Sequence, residues 1–154
     1  MDVRRLEPSE VEVFVDDLWL PFAEEMADLD PFNAVAEDAR AAALEHRRER
    51  LARDDAVDYV VEDGGLVAGA AAESRDAPPV FQHGDGLHVN EVYVRPAYRR
   101  QGIASDLLAE LEDWGRERGC TYVTLTVNRR NESAQELYRK RDYTVERHEM
   151  RKGL

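Results

Sequence analysis

The segment Val92-Tyr93-Val94-Arg95-Pro96-Ala97-Tyr98-Arg99-Arg100-Gln101-Gly102-Ile103-Ala104-Ser105 holds a strand end, a proline turn and a helix start. Its β-branched and aromatic opening favours extended chain, and Pro96 removes a donor that a continuing strand would need. Gly102 then opens a helix whose Ile103, Leu107, Leu108, Leu111 and Trp114 line one face. A helix start leaves about four backbone N–H groups without intrahelical acceptors, and the helix dipole adds positive potential there. A pyrophosphate suits that geometry where neighbouring residues are small enough for close approach. Gly102 and Ala104 supply the smallness, and Arg99 and Arg100 add charge. Taken alone, the loop is more readily an ordinary Gly-capped helix start with solvated arginines, because short glycine motifs recur by chance. No Gly-x-x-x-x-Gly-Lys-Ser/Thr occurs, nor a Gly-x-Gly-x-x-Gly after the first strand.

Upstream, Val3 to Leu6 reads as a short strand ended by Pro8. Ser9 caps a helix with Val11, Phe14, Val15, Leu18 and Phe22 at helical spacing; Pro21 is expected to kink or break it, and Asp30-Pro31 to stop the helical turns beyond Pro21. Residues 35–53 form a second helix with a weak apolar stripe. Strands at 58–62 and 66–73 flank the hairpin signal Asp63-Gly64-Gly65. Residues 75–86 hold Pro78, Pro79, Gly84 and Gly86 and read as a loop before a strand at 87–94. Downstream, Gly119 ends the helix, and 121–127 is a β-branched strand. Asn131 caps a short helix with Ala134, Leu137 and Tyr138, and 143–150 is a final strand. The order is strand, two helices, three strands, helix, strand, helix, strand. That is one mixed α/β domain over residues 1–154, without repeats or an interdomain linker.

Composition bounds the chemistry. At 154 residues with 43% apolar content the chain buries a real core. The opening Met1-Asp2-Val3-Arg4-Arg5 lacks the apolar core of a signal peptide, and no apolar run reaches the roughly 20 residues of a membrane span. Cys120 is the lone cysteine, which excludes an internal disulfide. A soluble cytoplasmic protein is expected. The 33 acidic and 21 basic residues give a net charge of −12, which argues against nucleic acid or anionic membrane as main partners. Among the basic residues only Lys140 and Lys152 are lysines. An acidic, lysine-poor surface fits a halophilic protein, whose carboxylates hold water while salt screens their repulsion. A GC-rich genome also explains the missing lysine but explains the carboxylate excess less well.

Val94-x-Pro96-x-x-Arg99-x-x-Gly102-x-Ala104 resembles the acyl-CoA signature of the GNAT (GCN5-related N-acetyltransferase) family. A second family element, the Asn-x-x-Ala-x-x-Leu-Tyr helix, has its counterpart in Asn131-Glu132-Ser133-Ala134-Gln135-Glu136-Leu137-Tyr138. The Gly that usually comes next is Asp142 here, another residue tolerant of a left-handed turn. The resemblance is strong from Leu87 to Tyr143 and compatible in element order before that. It implies a single-domain α/β (α+β) fold: a mixed, mostly antiparallel sheet with splayed central strands, flanked by helices. Those central strands would be the ones ending at Val94 and Val127.

The resemblance further implies acetyl-CoA as co-substrate and no metal. Residues Arg100, Gln101, Gly102, Ile103, Ala104 and Ser105 would wrap the pyrophosphate through backbone N–H groups, with Arg99 alongside. The backbone of Val92, Tyr93 and Val94 would pair with pantetheine, and Asn131 would hydrogen-bond the cofactor. Tyr138 matches the family's general acid; amine attack expels a thiolate, and a phenol with a pKa of roughly 10 is a suitable donor. Packing on the apolar face of Ala134 and Leu137 is the competing reading for Tyr138. Glu91 is the candidate base, directly or through water, against an equally weighted reading as a charge-paired strand residue. A glutamate that other members carry on the next strand is Thr126 here, which argues against ribosomal-protein-type N-terminal acetylation.

The implied activity is acetyl transfer from acetyl-CoA to a primary amine of a small molecule or protein, by direct attack in a ternary complex. The alternative is a non-catalytic acyl-CoA sensor or interaction module. A homodimer is among the partners implied, since relatives are often dimers. His83 and His88 lack a matching ligand cluster, so a loop lining the acceptor cleft is the better reading. Cys120 reads as packing, Arg129 and Arg130 as solvated charge, and Trp19, Phe22, Phe32 and Phe81 as mostly core.

Overall fold

The computed structural model describes residues 2–154. Strand β1 (Val3–Arg5) leads into helix α1, which spans 11–29 as an α segment Val11–Phe14, a π-helical turn Val15–Trp19 and an α segment Leu20–Leu29. Helix α2 (Ala39–Leu51) precedes strands β2 (Ala56–Glu62), β3 (Leu66–Arg75) and β4 (Gly86–Val94). Helix α3 (Ile103–Glu117), strand β5 (Tyr122–Leu125) and helix α4 (Glu132–Lys140) complete the series. The five strands lie in the order β1-β2-β3-β4-β5, antiparallel except for the parallel β4–β5 pair. This is the mixed, mostly antiparallel sheet expected from the sequence.

Period-two alternation sends side chains to two cores, one on each face. On one face Val57, Val61, Ala68, Ala70, Ala72, Leu87 and Val89 meet the α3 stripe of Leu107, Leu108, Leu111 and Trp114. On the other, Val60 and Leu66 meet Val11, Phe14, Val15 and Leu18 of α1 and Leu44 of α2. Small residues on β3 let α1 lie close to the sheet; a Cβ at Gly69 would stand 3.0 Å from the Phe14 ring. Among the described residues no helix is long and apolar enough to cross a membrane.

Three expectations are corrected. Ser9 does not cap α1: it lies inside a 3₁₀ turn, Pro8–Glu10, that leads into the helix, and Glu7 and Glu10 form a capping box around that turn. Pro21 does not break α1. Its ring would clash with the carbonyl four residues back, and the π turn just before it relieves that conflict, so the helix widens instead of ending. It stops at Leu29, before Asp30-Pro31. The final strand at 143–150 is not formed: no backbone hydrogen bond joins residues 144–154 to another part of the described chain. The Tyr143 hydroxyl donates to Glu112 (2.7 Å) and Arg151 to Asp30 (2.6 Å), which pins both ends of the segment away from the sheet edge. A strand without a neighbour has no ladder.

Candidate active site

The two central strands part. β4 pairs with β3 as far as Val94 opposite Ala68, but with β5 only from Gly86 to Val89, opposite Tyr122 to Leu125. Glu91 faces Ala71 and Val89 faces Ala72, so Asn90 is the extra residue of a β-bulge at the fork. Past it, the β5-facing edge of Val92, Tyr93 and Val94 carries backbone donors and acceptors with no strand beside them. The chain after Leu125 turns away, so the splay begins at Val89 and Leu125, earlier than the strand ends the sequence suggested. An unpaired edge at the fork can take an extended ligand as an added strand.

The proline turn Pro96–Tyr98 carries the chain from β4 to α3. Arg99 braces it: Nε donates to the Val94 carbonyl (2.8 Å), Nη2 meets Glu25 (2.7 Å), and the guanidinium lies 5.5 Å from the Tyr93 ring centroid. Arg99 thus ties the loop to α1. Arg100 (φ 62°) and Gly102 (φ 80°) both adopt left-handed backbone, which turns the intervening peptides outward. The first intrahelical bond runs from the Asp106 N–H to the Gly102 carbonyl (3.0 Å). None of the N–H groups of Arg100, Gln101, Gly102, Ile103, Ala104 and Ser105 donates to an acceptor among the described residues. Space beside Gly102 is open, with nothing within 4 Å of the position a Cβ would take. A run of unsatisfied amides curled at a helix start is a cradle for an anion.

Asn131 stands at the start of α4, its Oδ1 accepting from the Ala134 N–H (3.2 Å). That bond is a helix cap, and it leaves the side-chain NH₂ without a protein partner. Tyr138 is half-buried and packs with Leu137 against the α3-side core, 5.7 Å centroid to centroid from Tyr143. Burial raises its phenol pKa above the ordinary value, so it holds its proton across the neutral range. The Asp142 turn is left-handed (φ 70°), as the residue type suggested.

Glu91 lies past the bulge with Tyr93 toward α1, on the face opposite Tyr138. Its Oε1 is bonded to the Arg47 guanidinium, while Oε2 has no hydrogen-bond partner. Arg47 also holds Asp58 and stacks over Phe14, 4.4 Å from the ring centroid. Arg50 completes the cluster, reaching Asp58 (3.3 Å), Asn90 Oδ1 (3.1 Å) and the carbonyls of Val57 (3.2 Å) and Ala72 (3.0 Å). Arg47, Arg50 and Asp58 are almost wholly buried, and with Glu91 the formal charges cancel. Sequence reasoning passed over this cluster. The signal was present: Arg47 and Arg50 continue the stripe of Ala43 and Leu44, and Asp58 interrupts the apolar run of β2. Phe14, Trp19, Phe22, Tyr93 and Glu91 line a small pocket on this side of the fork.

The remaining candidates lie elsewhere. His83 stacks on Phe81 in the 76–85 loop, and His88 Nδ1 meets Thr124 Oγ1 at 2.9 Å. Arg130 bonds the Leu29 carbonyl (3.2 Å), and Phe32, exposed rather than core, lies under Arg151. Phe81 is exposed as well.

A sequence profile of the acetyltransferase (GNAT) family matches residues 16–143. A thialysine N-epsilon-acetyltransferase from Bos taurus is 32% identical over 56 residues, 36% of this chain and 33% of the bovine protein, so the match spans about a third of that relative. An aminoglycoside N(6')-acetyltransferase type 1 from Salmonella enteritidis is 22% identical over 90% of this chain and 88% of its own. Among solved structures, a Bacillus halodurans protein superposes with a TM-score of 0.88 at 14% identity, covering 100% of both chains. A Clostridium acetobutylicum predicted acetyltransferase with acetyl-CoA does so with a TM-score of 0.78 at 18% identity, over 99% of this chain and 95% of the other. With the profile spanning residues 16–143, most of its length, the chain belongs to the acetyltransferase (GNAT) family.

Proposed function

We propose that the chain is an N-acetyltransferase that moves the acetyl group of acetyl-CoA to a primary amine by direct attack in a ternary complex. The observation that carries this reading is the run of unpartnered amides at residues 100–105, beside the unpaired edge of β4. The amides and the Arg100 side chain take the pyrophosphate, with Arg99 holding the loop in shape. The backbone of Val92, Tyr93 and Val94 takes pantetheine, and the free NH₂ of Asn131 takes a cofactor oxygen. The thioester then lies at the bulge, between Tyr138 on one face and Glu91 on the other.

In the proposed chemistry the amine nitrogen attacks the thioester carbonyl, the C–S bond breaks, and Tyr138 gives its proton to the departing sulfur. Glu91, with Oε1 anchored by Arg47, receives the amine proton at Oε2 directly or through a water. Positioning of both substrates supplies much of the rate. The relatives named for thialysine and aminoglycoside acetylation support a small-molecule amine as acceptor, and the aromatic pocket beside Glu91 suits its apolar portion. We place the enzyme in the cytoplasm, where a lone thiol such as Cys120 stays reduced.

A thiol-release assay in molar KCl tests the reading, with acetyl-CoA and a panel of an aminoglycoside, thialysine, a polyamine and a lysine peptide. CoA should appear in step with acetylated amine seen by mass spectrometry. Binding of acetyl-CoA with no amine-dependent thiol release would leave only a sensor.

A further inference from the structure

Thr124-Leu125-Thr126-Val127 is rich in β-branched residues and favours extended, paired chain, yet its ladder with β4 stops at Leu125. Continued pairing would cover the Val92–Val94 edge. The chain from Leu125 to Asn128 spans at most about 10 Å, and its far end is fastened. Asn128 Nδ2 donates to Asp30 Oδ2 (3.2 Å), while Arg130 Nη1 donates to the Leu29 carbonyl (3.2 Å) and lies 3.3 Å from Asp30 Oδ1. Asp30 follows the last residue of α1, with only 5% of its surface exposed. On α4, the Gln135 side-chain amide donates to the carbonyls of Asn128 (3.3 Å), Arg129 (3.0 Å) and Asn131 (3.2 Å). The 128–131 turn is thus one unit with the start of α4, fastened to the end of α1, and Asn131 rides on it.

We propose that Asp30 is a positioning residue for the cofactor: it holds the 128–131 turn against α1, which keeps Thr126 and Val127 from zipping along β4 and sets where Asn131 stands. The inference rests on the acyl-CoA reading above. Replacing a buried ion cluster by apolar packing is often neutral for stability, so what this one adds beyond packing is fixed geometry. The carboxylate meets donors of Phe32, Asn128, Arg130 and Arg151. The Phe32 N–H steadies Asp30's own turn, Asn128 and Arg130 tether the arm of the fork, and Arg151 ties down the C-terminal segment. With the carboxylate's charge removed, the arm is released and β5 extends over the edge that pantetheine needs. Cofactor binding then competes with that closure, and affinity falls with the fraction of chains whose fork stays open.

Calorimetry with CoA on the full chain in molar KCl reads the effect. Asp30→Asn should raise the Kd about tenfold, as for a fork open in about one chain in ten, while kcat at saturating acetyl-CoA stays within about twofold of wild type. Hydrogen exchange at the Val127 amide should slow in that variant as the residue joins the ladder. Arg130→Ala removes an exposed side chain, so the fold survives, and it should weaken CoA binding in the same direction. Arg151→Ala frees only the C-terminal segment and should leave the Kd near the wild-type value. An Asp30→Asn or Arg130→Ala chain that binds CoA as tightly as wild type would overturn the anchor. So would unaltered Val127 exchange in Asp30→Asn, or an Arg151→Ala chain that loses as much affinity as Asp30→Asn. A wild type that ignores CoA would remove the acyl-CoA reading itself, and this inference with it.

Discussion

Tyr138 and Glu91 carry the proposed proton transfers from opposite faces of the sheet, and their settings differ. Tyr138 packs against the apolar core and beside the Tyr143 ring, and burial raises its phenol pKa, so its contribution is a proton delivered late in the reaction. Tyr138→Phe should lower kcat by about 10²-fold or more while the Kd for acetyl-CoA stays nearly constant, as measured by steady-state kinetics and calorimetry. Wild-type kcat at every pH would clear it. Glu91 is the proposed acceptor of the amine proton, so Glu91→Gln should lower kcat/KM by about 10²-fold, and wild-type steady-state kinetics in that variant would exclude the residue. The Oε1 bond to Arg47 fixes which oxygen is free, so the charge-paired and catalytic readings of Glu91 are compatible.

At the scale of elements, the α2 helix is a positioning device for the bulge. Arg47 and Arg50 reach from its buried face to β2, β3 and β4, and Arg50 reaches both Asn90 and the Ala72 carbonyl at the fork. Removing one partner of a buried ion pair strands the other charge, so Arg47→Ala should cost about 3–5 kcal/mol. For a chain of this length that is a fall in Tm on the order of 10 °C, readable by calorimetry. A second knot joins α1 to the C-terminal segment. The Arg151 guanidinium, ahead of the Phe32 N–H and Asn128, holds the Asp30 carboxyl down at about 2, below the ordinary aspartate range. A depressed carboxyl adds stability above its unfolded pKa and loses it as pH falls toward the folded one. The 151–30 tie should therefore loosen between about pH 4 and pH 2, and Asp30→Asn should remove that part of the acid transition followed by hydrogen exchange. The proline turn and helix start at 96–105, the α3 stripe, the hairpin and the Asn131 cap were legible because each depends on local spacing and backbone chemistry. The buried arginines were not, because a periodic arginine in a helix reads as surface until its partner strand is known. Pro21 misled because the rule for proline assumes a regular α turn before it. The last strand misled because alternation predicts extended chain but says nothing of what lies beside it.

Across the whole molecule, an acidic surface surrounds these features. With 33 acidic against 21 basic residues, like-charge repulsion opposes the folded state at low ionic strength. Many of the arginines sit in surface ion pairs such as Arg40–Asp16 (2.7 Å) and Arg116–Asp113 (2.8 Å), each of small worth. They do not offset the net charge. The thermal midpoint should therefore rise from dilute buffer to molar KCl, and a melt indifferent to salt would remove the halophilic reading. The fork and its loop remain the centre of the account, whichever amine is the acceptor. The most direct test tracks the backbone amide resonances of an isotope-labelled sample during titration with CoA. The N–H signals of residues 100–105 should move first and farthest at one equivalent, with those of 92–94 next. If CoA leaves them in place, or shifts a different surface instead, the loop is an ordinary helix start and the proposed chemistry has no seat.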